Sequence, residues 1–251
     1  MSSHLMLKSL KILIVFLLLY SAVAVQAKEL TILTDNWPPY NFKKDNRIVG
    51  ISTELIEAAL QKSKVKYKIK LYPFKRALIT VKNTPNTMLF TVARIPQREE
   101  YFAWIGPIYP REVNLYRLKN RTDIKIESVA DIRRYRTGVL SGGSVELFFI
   151  EHSFHAEDYS LVIKSDQLLK MLFKKRVDLI PGDPNDLAYQ MKELGYKYSE
   201  IEIAYPLSTE GAYYMVANKK TSHKLIKRIQ ECLDEIIETG SRDKIINKYL
   251  N

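Results

Sequence analysis

The chain has 251 residues, 46% of them hydrophobic, with 39 Lys and Arg against 28 Asp and Glu and a single cysteine. That is enough apolar sequence for one large globular domain or two small ones, and one cysteine rules out an intramolecular disulfide. The formal charge of +11 raises nucleic acid as a partner, but the lysines are spread along strand and helix faces rather than clustered.

Residues 1–27 stand apart. Lys8 and Lys11 precede an apolar run from Ile12 to Leu19, and Val25-Gln26-Ala27 supplies small residues for cleavage, the pattern of a secretory signal. The run is too short to favour a membrane span. Its removal takes away two lysines and no acid, so the mature charge is 37 minus 28, or +9. Cys232 lies far from the leader and offers no acceptor for a lipid anchor. Export argues against nucleic acid and leaves solubility, anionic ligands or membrane surfaces as the meaning of the basic excess.

The mature chain alternates strands and helices. Glu29 to Thr34 reads as a first strand, followed by the loop Asp35-Asn36-Trp37-Pro38-Pro39-Tyr40, stiffened by two prolines. Ser52 is placed to cap a helix with apolar positions Leu55, Ile56, Ala59 and Leu60, the helical spacing. Lys66 to Leu71 alternates as a half-wet strand, Phe74 to Val81 makes a short helix, and Met88 to Val92 is a buried strand. This is β-α-β-α-β, the pattern of a parallel sheet covered by helices.

A second unit begins near Glu112. Val113 to Leu118 alternates as a strand, Ser128 to Ile132 reads as one helical turn, and Thr137 to Leu140 leads through Ser141-Gly142-Gly143-Ser144 into a helix ending at Ile150. Tyr159 to Ile163, a helix capped by Ser165, a strand from Val177 to Ile180 and a helix from about Asp186 to Leu194 follow. Ile201 to Tyr205 and Ala212 to Ala217 are strands. Helices from Ser222 to Thr239 and Asp243 to Leu250 close the chain.

The most informative stretch is Met88 to Tyr109. A buried strand ends in Thr91, Arg94 and Arg98, with Pro96 between the arginines to stop a helix running through them. Guanidinium forks at a strand end suit a small carboxylate, although Arg98 could equally bridge Glu99 or Glu100 on the surface. Ser141 to Ser144 is either a plain turn capped by Ser144 or an anion-binding helix start. Trp37 and Tyr40 are either core or ligand-stacking aromatics at the edge of an open sheet. Asp183 either pairs with an ammonium or caps the next helix. His152 and His155 lack a third ligand for a metal, and Cys232, in register with Leu225, Ile229 and Ile236, reads as core.

Four of these landmarks together resemble the family 3 extracellular solute-binding proteins, the type II periplasmic binding proteins that feed polar amino acids to ABC transporters. They are Trp37-Pro38-Pro39-Tyr40, Arg98 ahead of Gly106-Pro107, Ser141-Gly142-Gly143-Ser144, and Arg176-Val177-Asp178-Leu179-Ile180-Pro181-Gly182-Asp183. They fall in the family's order over residues 28–251. The sequence departs from the family at Gly50-Ile51-Ser52-Thr53-Glu54 and at Ile95, which marks a divergent branch and bears on the ligand rather than the fold.

The resemblance implies an α/β, two-lobed Venus-flytrap fold with a hinge of two chain crossings. Lobe 1 would take 28–111 plus 213–251, and lobe 2 would take 112–212. The implied protein is a monomer in the periplasm without enzymatic activity or cofactor. It would capture a small polar ligand, an amino acid or related zwitterion, and deliver it to an inner-membrane ABC permease. The implied ligand-binding residues are Trp37, Tyr40, Thr91, Arg94, Arg98, Gly143, Ser144 and Asp183. The alternatives are a dehydratase-like enzyme on the same fold, with Asp183, Glu54 or Glu146 as its acids, and a free-standing sensory partner.

Overall fold

A computed structural model describes residues 29–208 and 211–250, so the expected export leader lies outside the described residues. The chain runs through β1 (Leu30–Thr34), β2 (Phe42–Lys44), β3 (Arg47–Val49), α1 (Ile51–Lys62), β4 (Tyr67–Leu71), α2 (Phe74–Asn83), β5 (Thr87–Ala93) and β6 (Phe102–Pro110). It continues through β7 (Val113–Leu118), β8 (Thr137–Leu140), α3 (Ser144–Glu151), β9 (Tyr159–Val162), α4 (Asp166–Phe173), β10 (Ile180–Gly182) and α5 (Pro184–Glu193). It closes with β11 (Ile201–Ser208), β12 (Ala212–Asn218), α6 (His223–Glu238) and α7 (Ser241–Leu250).

Two sheets organise two lobes. The first has the order β4-β1-β5-β12-β6, parallel from β4 to β5 and antiparallel where β12 inserts between β5 and β6. The strand β5 is buried along its whole length, as a strand with neighbours on both edges and helices on both faces must be. The second sheet is β10-β7-β11, antiparallel, with the parallel pair β8-β9 joined to it through a bridge between Thr137 and Leu179. The chain passes between the sheets twice, from Pro110 to Val113 and from Ser208 to Ala212, where Arg111 N–H donates to the Gly211 carbonyl at 3.1 Å. Separate apolar clusters fill each lobe, one around Leu55, Phe90 and Ile108, another around Tyr116, Leu169 and Met191.

Several local readings are corrected. Ser52 does not cap α1. The N-cap is Gly50, at φ 127°, and the helix start is closed by the carbonyls of Pro39 and Tyr40, which accept from Ile51, Ser52 and Thr53. A Cβ on Gly50 would lie 2.4 Å from the Tyr40 carbonyl oxygen, so glycine is required for the loop to reach the helix. Pro96 does not merely stop a helix but starts one, a single turn from Pro96 to Glu99 with proline at its first position, where its missing N–H is no loss. Phe102 to Pro110 is a full strand at the sheet edge, the position that tolerates Pro107. The hairpin β2-β3 was not anticipated, and the strand expected from Val177 to Ile180 pairs with Thr137 at Leu179 and joins the β7 ladder only from Ile180 to Gly182. Cys232 is buried with Ile229 and Leu233, as its register required.

Asp178 anchors the second lobe. Its carboxylate accepts from Arg121 Nη1 at 2.6 Å and from Arg136 Nε and Nη2 at 3.0 and 3.1 Å, and it also accepts from the Arg136 backbone N–H. Although burial opposes its ionisation, the hydrogen bonds from Arg136 and Arg121 hold the carboxyl down at about 2.

Candidate functional site

A cavity opens between the lobes where the carboxyl ends of β1 and β5 face the starts of α3 and α5. This is where an open α/β sheet presents ligand-binding residues. Six of the eight expected site residues line it: Trp37, Thr91, Arg98, Gly143, Ser144 and Asp183. Tyr40 and Arg94 do not.

Arg98 is 4% exposed and lies at the wall shared by the two lobes. Its Nη1 donates to the Ala93 carbonyl at 3.1 Å within lobe 1, and its Nη2 to the Gly142 carbonyl at 2.7 Å in lobe 2. Burial, aided by nearby Arg111, pulls its pKa down to about 10. A guanidinium held only by carbonyls in a desolvated site favours an anion. Beside it, Thr91 adopts φ 64°, an unusual value for a β-branched residue. The Thr91 Oγ1 is buried with no hydrogen-bond partner. A strained residue carrying an unsatisfied hydroxyl in a cavity marks a place built for something else.

The loop before α3 is only partly as expected. The Gly143 N–H is taken by the Leu140 carbonyl at 2.9 Å, and the Gly142 N–H by the Glu146 carboxylate, so neither is held open for an anion. Ser144 starts the helix, and its Oγ accepts from Arg111 Nη2 at 3.3 Å. Gly142, at φ 77°, carries its backbone against α2, where a Cβ would meet Lys75 at 3.0 Å.

Arg94 is a correction. It forms a two-pronged pair with Glu99 at 2.6 and 3.0 Å and lies over Trp104 and Tyr214. The proline-started turn places Glu99 where it captures the first arginine and leaves the second for the cavity. Tyr40 is a second correction. It is fully buried, and its hydroxyl donates to Asp183 Oδ1 at 2.7 Å, a bond from lobe 1 to lobe 2. Trp37 remains at the cavity, packed against Tyr40 and edge-on to Tyr213.

Asp183 combines both of its sequence readings. It lines the cavity, and its Oδ1 also caps α5 by accepting from the N–H groups of Asn185 and Asp186. Two acids that sequence reasoning passed over line the same cavity. Asp35, at the end of β1, accepts from Asn41 Nδ2 at 3.0 Å. Asp186, in the first turn of α5, accepts from Gln190 Nε2 and shares the cavity wall with Trp37. Desolvation is the main cause that raises Asp35 to about 6 and Asp186 to about 7, with the charges of Asp183 and Asp35 contributing to the rise at Asp186. A charged residue at a strand's carboxyl end was a usable signal for Asp35. Asp186 reads in sequence as an ordinary first-turn helix acid.

Both acids have folded-state pKa values above the unfolded value near 4. Their contribution to stability is therefore fully present below about pH 4 and is lost as pH rises through 6 to 7. Replacing Asp186 by asparagine should flatten the fall in melting temperature of the ligand-free protein between about pH 4 and 7. Melting curves for Asp186→Asn that fall in parallel with wild type across that range would contradict the assignment.

Residues 30–251 match the model of the bacterial extracellular solute-binding proteins, family 3. The chain belongs to this family. Among curated relatives, this family 3 chain is 25% identical to the probable amino-acid-binding protein YxeM of Bacillus subtilis (strain 168), covering 85% of this chain and 80% of that protein. A putative sensor protein of Shewanella frigidimarina (strain NCIMB 400) is 23% identical over 84% of this chain but only 31% of its own length. An ancestral arginine-binding protein bound to arginine superposes with TM-score 0.76 at 20% identity, over 89% of this chain and 98% of that one. A histidine kinase sensor domain similar to periplasmic binding proteins reaches 0.80 at 15% identity, over 90% and 98%. These likenesses fix the two-lobed fold. Of the acids considered for an enzyme, Glu54 binds Lys248 and Tyr249, and Glu146 binds the Gly142 N–H. Among the described residues no cluster of potential metal ligands occurs, and no helix is long and apolar enough to cross a membrane.

Proposed function

We propose that this family 3 protein captures a small amino acid or related zwitterion between its lobes in the periplasm and hands it, as a monomer, to an inner-membrane ABC permease. The observation that carries the reading is the polarity of the cavity. Buried Arg98 and the unsatisfied Thr91 hydroxyl stand among its walls together with Asp35, Asp183 and Asp186. A ligand carboxylate takes Arg98 and Thr91 with the Ser144 end of α3, an ammonium takes the acids, and Trp37 covers the ligand. The amino-acid-binding names of the curated relatives support the same ligand class.

Residues 28–111 with 213–251 would form one lobe and 112–212 the other, hinged at the two crossings near Arg111 and Ala212. Closure is supported by direct bonds between the lobes, including Tyr40 to Asp183, Ser165 Oγ to the Asn36 carbonyl at 3.0 Å, and Gln97 to Glu151 at 2.8 Å. Binding needs no chemistry: ligand stabilises the closed form, and the permease reads it. A sensory partner is the second reading, favoured by the sensor names among the similar proteins. Deleting the gene would separate the two, abolishing uptake in the first case and only a ligand response in the second.

The test is a thermal-shift panel of amino acids and dicarboxylates. Stabilisation by at least one amino acid, lost in Arg98→Ala, is the expected result. Stabilisation by dicarboxylates alone would overturn the reading.

A further inference from the structure

The cavity holds more acid than a simple zwitterion requires. Of its lining residues, one is basic, Arg98, and three are acidic, Asp35, Asp183 and Asp186. One α-ammonium needs one carboxylate. Asp183 is that carboxylate: its Oδ1 joins the lobes through the Tyr40 hydroxyl and caps a helix, and its Oδ2 is left for the α-ammonium. Asp35 and Asp186 remain, from opposite lobes, each more than nine-tenths buried.

From this balance the geometry points to a ligand with a second positive charge: an α-amino acid whose side chain ends in a cation held between Asp35 and Asp186. The inference rests on the amino-acid reading above and narrows it. Between the cavity's polar residues the walls are apolar, including Phe74, Leu140, Leu168 and Leu187, and suit an aliphatic stem. The unsatisfied, 3% exposed Thr91 hydroxyl in the same cavity is independent evidence that the walls await a ligand. Without a cation, Asp35, Asp183 and Asp186 share a desolvated space that disfavours their charged forms, and a bound cation would relieve that cost. Gln190 Nε2 meets Asp186, and Asn41 meets Asp35. These are neutral donors, which position the carboxyls without neutralising them. The positive groups near the cavity, Arg98 and Arg111, neighbour Thr91 and Ser144 in the wall that would take the carboxylate.

Calorimetric titration with two matched pairs decides the matter: L-arginine against its uncharged isostere L-citrulline, and L-lysine against L-norleucine. In wild type at least one cationic member should bind at least about tenfold more tightly than its neutral partner. Asp186→Asn should shrink that ratio about tenfold. Asp35→Asn is the second variant should Asp186→Asn not fold, and the wild-type ratio needs neither. Neutral amino acids that bind as tightly as cationic ones, or a ratio unchanged in both variants, would overturn the second-cation site and leave amino-acid capture standing. Failure of every amino acid to bind would overturn both.

Discussion

Arg98→Ala is expected to cost the protein about 2–5 kcal/mol of ligand binding, a loss of about 30-fold to several thousand-fold. The guanidinium is buried, bridges the lobes through the Ala93 and Gly142 carbonyls, and lines the same cavity as the open Thr91 hydroxyl. Its removal would leave a ligand carboxylate desolvated without a counter-charge. The effect on stability should run the other way. In the ligand-free protein Arg98 is a buried cation beside Arg111, held only by neutral carbonyls, and burial lowers its pKa. Arg98→Met, which keeps the stem and removes the charge, should melt no lower than wild type without ligand while binding nothing. Affinity within threefold of wild type in either variant would remove Arg98 from the site. A large drop in the ligand-free melting temperature of Arg98→Met would make it a structural arginine instead.

The second large effect lies away from the cavity. Asp178→Ala takes from Arg136 its carboxylate partner, leaves Arg121 with Asp123 alone, and leaves the Arg136 N–H without its acceptor. Breaking such a pair costs roughly 3 kcal/mol, and the 60% exposure of the Arg136 side chain keeps the figure at the low end of the range. That is roughly 6–12 °C in melting temperature for a protein of this size. The acid sign is opposite to that of the cavity acids. Asp178 has a depressed pKa near 2, so its contribution is present above about pH 4 and is lost as pH falls toward 2. A melting temperature for Asp178→Ala within 2 °C of wild type at neutral pH, on the scale of about 0.5–1 kcal/mol, would show that the network is only decoration.

The fold was legible because its elements carry unambiguous patterns. The largely apolar run inside β5 and the heptad-like spacing in α6 report burial directly, whereas the alternation of Val113 to Leu118 marks the strand but not its burial, because Asn114 is buried as well. What sequence could not carry was how side chains choose partners through space. Arg94 and Arg98 are equivalent in composition, and only the helical turn begun by Pro96 gives Arg94 to Glu99 and Arg98 to the cavity. Tyr40 and Trp37 share one loop, yet the Gly50 turn that ties Tyr40 to α1 buries it while Trp37 lines the cavity. Asp186 lay hidden because a helix's first turn collects acids for electrostatic reasons alone. Its meeting with Asp35 depends on residues about 150 positions apart, closed against each other by the lobes.

The most direct measurement is native mass spectrometry of the protein purified without denaturation from its native cells. The account predicts a population heavier than the mature chain by the mass of one amino acid, released on unfolding and absent from Arg98→Ala prepared in parallel. A co-purified dicarboxylate, or an amino acid retained equally by Arg98→Ala, would contradict it.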